Sequence, residues 1–303
     1  MHRKIKIILN PMADMGNAWR VARDLRSITE EHGGIDWSGT VYPGHAIDLT
    51  KGTEGYDVVI AMGGDGTVHE VMNGLMQIPA EKRPILGVVP VGSGNDFAHG
   101  LNTSKKPTEA LVSTLDGNVA AVDLILMTDQ HGRQEYIDNT LGIGFGAMVT
   151  IRSHRIPLIR GFLMYLTSVI QTIALDHNPI HMQIETDQET WEQKVIYLVL
   201  CNGPREGGGF LIAPEAKIDD GIIHYAMITD VSRAMMFRIV PEVMKGTHGR
   251  FKQVRMGTCK KFSLTANRPL YIHTDGEIYS GPGTDLRKVS FELLPGALKV
   301  VKA

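Results

Sequence analysis

The stretch Tyr56 to Asn73, YDVVIAMGGDGTVHEVMN, sets glycines, an aspartate and a threonine directly behind an apolar run. Val58 to Met62 reads as a strand buried on both faces, as in a parallel sheet. Thr67 and Glu70 have the spacing of a capping box, which predicts a helix starting there with Val68, Val71, Met72 and Leu75 on its apolar face. Strand, glycine turn and helix N-terminus together make an anion site, because free amides and the positive end of the dipole point over the turn. Asp65 among those amides repels a phosphate unless a cation bridges the two, so Gly63-Gly64-Asp65-Gly66-Thr67 points to Mg²⁺ with a nucleoside triphosphate. The same residues also suit a tight turn whose glycines serve packing alone. The chain has no GxxxxGK[ST] pattern, which argues against an ordinary P-loop enzyme.

Three further groups carry chemistry. Pro90-Val91-Gly92-Ser93-Gly94-Asn95-Asp96 follows another apolar strand and supplies a second aspartate, although Asn95 also suits an Asx turn capping the next helix. Gly207-Gly208-Gly209 leads to Pro214 through Gly221, an acidic turn that is either a solvated hairpin end or a carboxylate-and-carbonyl cradle for a hard cation. Thr274-Asp275-Gly276-Glu277 ends a strand. It reads as an Asp-Gly hairpin turn or, with Asp275 as base, as the acceptor of a hydroxyl proton in phosphoryl transfer.

The elements that must position these groups change character along the chain. Lys4 to Leu9, Ile35 to Tyr42, Val58 to Met62 and Ile85 to Val89 read as strands, with helices over 18–28 and after Thr67 and one or two helical turns over 46–51. That alternation predicts a doubly wound parallel α/β domain over 1–120, with ligands beyond the carboxyl ends of its strands. From 121 to 303 the pattern is eight strands with few helices between them, which predicts an antiparallel β-sandwich whose last strand can return to the first domain. Helical insertions are expected over 151–175 and 231–246, the second interrupted at Pro241. A two-domain arrangement bringing Asp275 over the glycine loop is the spatial expectation on which a kinase reading depends.

Composition narrows the class. The 303 residues carry a net charge of −2 with 21% charged residues, which gives no nucleic-acid-binding tail. Cys201 and Cys259 form no CxxC, so neither a disulfide framework nor a zinc knuckle is expected, and a reducing cytoplasm fits. The most hydrophobic window, 156–175, is interrupted by Pro157, Arg160 and Gln171, so no membrane span is expected.

In this order the motifs resemble the diacylglycerol kinase catalytic family of soluble lipid kinases, which includes bacterial diacylglycerol kinases and sphingosine and ceramide kinases. The resemblance runs through Asn10-Pro11, GGDGTVHEVMNGL at 63–75, PVGSGNDFA at 90–98, GIGFGA at 142–147, GGGFLIAPEAKIDDG at 207–221 and TDGE at 274–277. NAD kinases share the first loop but carry an NxGxLGFL-like segment later, which is absent here.

The resemblance implies ATP bound by Asn10 and Pro11, by Thr40, by Gly63, Gly64, Asp65, Gly66, Thr67, Val68, His69 and Glu70, and by Ser93. It implies a structural Mg²⁺ on Asp220 with the carbonyls of Lys217 and Ile222, a catalytic Mg²⁺ held or oriented by Asp65 and Asp96, and Asp275 as proton acceptor. Two departures stand out. Met12-Ala13-Asp14-Met15-Gly16 lacks the basic residue usual after Asn-Pro, and Gly146 stands where many members have Asp.

The resulting expectation is an ATP- and Mg²⁺-dependent kinase acting on a hydroxyl of diacylglycerol or a related long-chain lipid. A soluble nucleotide kinase of the NAD kinase type, or a non-catalytic lipid or nucleotide sensor, are the alternatives. The protein is expected in the cytoplasm, touching the membrane transiently, with a homodimer left open. Basic and apolar residues at 152–163 (Arg152, His154, Arg155, Pro157, Leu158, Ile159, Arg160, Phe162, Leu163) and a basic group of Lys245, His248, Arg250, Lys252 and Arg255 are candidates for that contact.

Overall fold

A computed structural model describes residues 3–33, 35–156 and 161–302. The chain folds as two compact units, one of 1–122 with 296–303 and the other of 123–295.

The first unit alternates strand and helix in chain order: β1 (Ile5–Leu9), α1 (Asn17–His32), β2 (Ile35–Gly39), α2 (His45–Thr50), β3 (Val58–Gly63), α3 (Asp65–Met76), β4 (Ile85–Pro90), α4 (Asp96–Gly100) and α5 (Pro107–Asp116). The strands pair in parallel as β2-β1-β3-β4. Every residue of β3 is buried, the burial expected of a strand with helices on both faces. The unit's outer edge is closed by the end of the chain, where Val300 pairs in parallel with Leu86. Leu298, Val300 and Val301 are buried there, and Arg83 donates to the Ala297 carbonyl at 2.8 Å.

The chain leaves this unit within β5 (Asn118–Asp129). The second unit follows with β6 (Gln134–Ile137), β7 (Thr140–Gly144), α6 (Phe145–Ser153), α7 (Gly161–Leu175), β8 (Ile180–Thr186), β9 (Thr190–Cys201), β10 (Ile223–Thr229), α8 (Arg233–Met244), β11 (Val254–Cys259), β12 (Lys261–Ala266), β13 (Ile272–Thr274), β14 (Glu277–Ser280) and β15 (Lys288–Lys302). All strand pairs within this unit are antiparallel. β9 organises them, pairing β8 along its first half and β7 and β10 along its second.

Strand alternation lets β9 serve two cores. Leu198 and Leu200 join the apolar interior of the sandwich, while Tyr197, Val199 and Cys201 face a layer built by α6, α7 and α8. Helix α8 continues through Pro241 rather than stopping there. Pro241 is exposed, so the backbone bond it removes lies on the water side, where the freed carbonyl is solvated.

Candidate active site

In the first unit three loops at the carboxyl ends of adjacent strands lock onto one another. Asn10, just past β1, donates its amide N–H to Thr67 Oγ1 at 3.2 Å, and its backbone N–H goes to the Met62 carbonyl of β3. Its own Oδ1 closes the next turn by accepting from Met12 N at 3.0 Å. Gly63 is required because a Cβ there would lie 2.2 Å from Thr67 Oγ1, and a Cβ on Gly92 would lie 2.3 Å from the Gly64 Cα. The two glycine loops therefore touch backbone to backbone, a contact that no side chain permits. Thr40 sits beside them, its N–H bonded to the Leu9 carbonyl, and Ser93 is exposed at the tip of its loop.

Asp65 joins the two acidic loops. Its Oδ1 accepts from the backbone N–H groups of Asp96 and Phe97 at 2.6 and 3.4 Å, so one loop's carboxylate caps the helix begun by the other. Asn95 adopts φ +54° and bonds back to Gly92 through both amide atoms, holding Ser93-Gly94 in a closed turn. The Asx turn is therefore real, but the cap comes from Asp65. A Cβ on Gly94 would lie 2.7 Å from Asp65 Oδ2 and 3.6 Å from Asp96 Oδ2, so both carboxylates border the space left by that glycine. Two carboxylate oxygens beside that glycine have the chemistry a hard, oxygen-seeking divalent cation prefers.

One expectation is corrected here. Thr67 and Glu70 do not form a capping box, since α3 begins at Asp65 behind Gly64 with no side-chain cap. Glu70 instead accepts from the N–H groups of Gly44 and Ala46 at 2.7 and 3.1 Å and ties the start of α2 to the first turns of α3. The open amides of α2 outcompeted those of α3, whose first turn is left facing the loop. His69 is buried, with its ring 3.3 Å from Asn73 Nδ2, and Val68 is buried beside it. After Asn10 the chain runs through left-handed Asp14, Met15 and Gly16, and Asn17 donates to the Asp14 carboxylate.

In the second unit Asp275 is buried at the tip of the β13–β14 hairpin, left-handed at φ +48° with Gly276 at +87°. The turn is the hairpin its sequence suggests, and the carboxylate is also held. Oδ1 accepts from Asn139 N and Thr140 N at 3.0 and 2.9 Å, and Oδ2 from Asp138 N at 3.2 Å. Thr274 donates to Glu135 at 2.5 Å.

Two residues before Asp275, His273 lies over Gly142 and Gly146. A Cβ at those positions would lie 2.2 and 3.1 Å from its Nε2, and one at 146 would also meet the Tyr197 ring at 2.5 Å. The missing Asp at 146 is thus explained by volume, because His273 and Tyr197 fill the place. The carboxylate comes instead from Glu206, fully enclosed, whose oxygens take the hydroxyls of Tyr165 and Tyr197 and lie 3.1 Å from the imidazole. Burial pushes the Glu206 carboxyl upward, but the His273 charge and the two hydroxyls outweigh it and hold it below the usual carboxylate range. The Tyr197 hydroxyl is driven well above its ordinary value by burial and by Glu206. Sequence reasoning passed over Glu206, since its partners come from α7, β9 and β13 and share no local pattern.

Asp220, expected with the carbonyls of Lys217 and Ile222 to hold a structural cation, is hydrogen-bonded within its own turn. Asp220 Oδ2 accepts from Lys217 N and lies 3.0 Å from His224 Nε2, and Oδ1 takes the Ile222 N–H at 3.3 Å. The Lys217 carbonyl accepts from Asp220 N, and Gly221 N donates to Asp123 at 2.7 Å. Among the described residues no group of three or more His, Cys, Asp or Glu is arranged to hold a metal.

A parallel α/β unit whose glycine loops meet at the carboxyl ends of its strands, followed by an antiparallel β unit holding a buried aspartate at a hairpin tip, defines the fold class of this chain. Comparison then fixes the family. Residues 4–127 match the diacylglycerol kinase catalytic domain, and residues 139–302 match the YegS C-terminal NAD kinase beta sandwich-like domain. The chain is 30% identical over 274 residues to the "Probable lipid kinase YegS-like" of Yersinia pestis (strain Pestoides F), covering 90% of this chain and 84% of the relative. The same values hold for that of Yersinia pseudotuberculosis serotype O:1b (strain IP 31758). A solved structure from Bacillus anthracis str. Sterne superposes with TM-score 0.80 at 22% identity, covering 100% of this chain and 97% of its own. A diacylglycerol kinase from the same organism does so with TM-score 0.72 at 20% identity and coverage of 100% and 97%. The chain belongs to the diacylglycerol kinase catalytic family, within its YegS-like lipid kinases.

Proposed function

We propose that the protein transfers the γ-phosphoryl group of ATP to a hydroxyl of diacylglycerol or a related long-chain lipid. The observation that carries this reading is the junction at Asp65, where two glycine loops meet backbone to backbone and the carboxylates of Asp65 and Asp96 both border Gly94. Amides of residues 64 to 66 and the exposed Ser93 loop receive the phosphates, with Asn10, Thr67 and Thr40 alongside. Asp65 and Asp96 hold a divalent cation, Mg²⁺ in this reading, which would neutralise phosphate charge during transfer. Asp275 takes the hydroxyl proton, its carboxylate oriented by the backbone N–H groups of Asp138, Asn139 and Thr140. In the same reading Asp220, with the carbonyls of Lys217 and Ile222, would hold a second, structural Mg²⁺. The protein acts from the cytoplasm on lipid at a membrane surface, and no helix among the described residues is long and apolar enough to cross one.

The test offers purified protein labelled ATP and Mg²⁺ with a panel of diacylglycerol, monoacylglycerol, sphingoid base, ceramide and NAD. Phosphate should enter a lipid and not NAD. Asp275→Asn should lower kcat by about 10²–10⁴-fold with the ATP binding isotherm unchanged. Turnover retained by that variant removes Asp275 as the base, and incorporation into NAD alone removes the lipid reading.

A further inference from the structure

Helix α7 departs from an ordinary surface helix, which turns charges to water and apolar residues inward. Its fifteen residues, GFLMYLTSVIQTIAL, contain no charge. The inward face places hydroxyls beside Val169 and Ile173. Ser168 and Thr172 are 0% exposed and donate back to the carbonyls of Met164 and Ser168 at 2.9 and 2.7 Å. The outward face carries hydrocarbon, with Leu163, Ile170 and Leu175 exposed at 62, 47 and 65%. Between them Thr167 turns its hydroxyl onto the Leu163 carbonyl at 2.8 Å, so even this polar side chain offers little to water.

Helix α8 packs against α7 and extends the face. Arg233 donates to the α7 carbonyl of Ile173 at 3.2 Å, and one turn later Phe237 is 45% exposed. From Arg233 to Lys252 five lysines and arginines stand against a single acid, Glu242. Of the basic group marked in the sequence, His248 is buried and Arg255 is paired with Glu189, so neither is available. Lys245 and Arg250 both lean on Glu242. Arg152 is likewise paired with Asp176, and Pro157, Leu158, Ile159 and Arg160 lie outside the described residues. Arg238 on α8 and Lys252 just after it are exposed, and so is Arg155 of the first group, so this side of the unit carries basic charge facing water.

We infer that the face bearing Leu163, Ile170, Leu175 and Phe237 is a docking surface for an anionic bilayer, lying in the interface with Arg238 and Lys252 among the headgroups. Charge complementarity selects this occupant. A second copy packed face to face would bring like charges together, whereas anionic headgroups neutralise them while acyl chains cover the leucines. The inference names the membrane contact of the lipid kinase reading and rests on it for its purpose.

Sedimentation with vesicles tests it, using phosphatidylcholine alone and phosphatidylcholine containing phosphatidylglycerol. The triple variant Leu163→Gln, Ile170→Gln, Phe237→Gln alters only exposed side chains, and its unchanged thermal midpoint would confirm the fold. It should partition at least about ten-fold more weakly onto anionic vesicles. Arg238→Gln with Lys252→Gln should weaken binding to anionic vesicles, leave phosphatidylcholine binding as it was and flatten the salt dependence. Wild-type protein that ignores vesicles, a triple variant that binds like wild type, or a dimer in sedimentation velocity that the triple variant dissociates would each overturn the inference. No ATP is needed for these readings. Vesicle binding through this face without phosphorylation of any lipid would therefore refute the kinase reading while leaving the surface in place.

Discussion

Asp65 does two jobs with two oxygens. Oδ1 caps α4 through the Asp96 and Phe97 amides, and Oδ2 borders the space beside Gly94 with Asp96. Asp65→Asn keeps the shape but replaces one oxygen by a donor that faces those amides. It should cut kcat/KM by at least about 10²-fold and weaken ATP binding only when Mg²⁺ is present, as calorimetry with and without the metal would show. Glu206 is the other residue whose electrostatics reach beyond its own volume. Its folded-state carboxyl titrates below the unfolded value of about 4.3. The stability it contributes is therefore complete above that pH and is lost as pH falls through the lower, folded value. Urea unfolding of Glu206→Gln should show a shallower loss of stability on acidification than wild type, and about 1–3 kcal/mol less stability at neutral pH from the disrupted buried contacts.

At the scale of elements, the ties between helices decide where the loops stand. Glu70 receives two amides at the start of α2, and Gly74 lets α3 approach α2 closely, since a Cβ there would lie 2.7 Å from Thr50. Glu70→Ala should cost about 1–3 kcal/mol, read by urea unfolding, and raise the KM for ATP more than it lowers kcat, because the amides it leaves unpaired hold α2 near the nucleotide loops. The turn at Asp220 is closed by its own N–H groups and His224. His224→Ala should lower the thermal midpoint; a fall in midpoint with a chelator of divalent ions would support the structural cation at this turn, and an unchanged midpoint would remove it.

At the scale of the whole molecule, the chain is threaded so that its last residues complete its first unit. Leu298, Val300 and Val301 are buried there, each contributing roughly 1.5–3 kcal/mol. Removal of residues 296–303 should lower the melting temperature of the first unit and expose it to protease, with the melting of 123–295 much less affected. Two calorimetric transitions would reveal this separately, and a single unshifted transition would argue that the tail contributes nothing. The two cysteines are both buried, and burial pushes the Cys259 thiol up to about 12. Neither should react with a thiol reagent until the protein unfolds.

Much of the site was legible along the chain because its signals are local. A glycine loop after an apolar run, a left-handed Asp-Gly turn and the switch from alternating helices to successive strands all operate over a few residues, and backbone sterics enforce them wherever they occur. The capping-box reading failed for a related reason: spacing shows which groups can bond, but not which competitor is nearer, and the amides of Gly44 and Ala46 came from outside the window. Only the tertiary structure could bring Asp65 to the start of α4, fill the space at Gly146 with His273, and set Glu206 among Tyr165, Tyr197 and His273. Proximities of that kind depend on volume and direction in three dimensions, quantities that a string of residues does not contain.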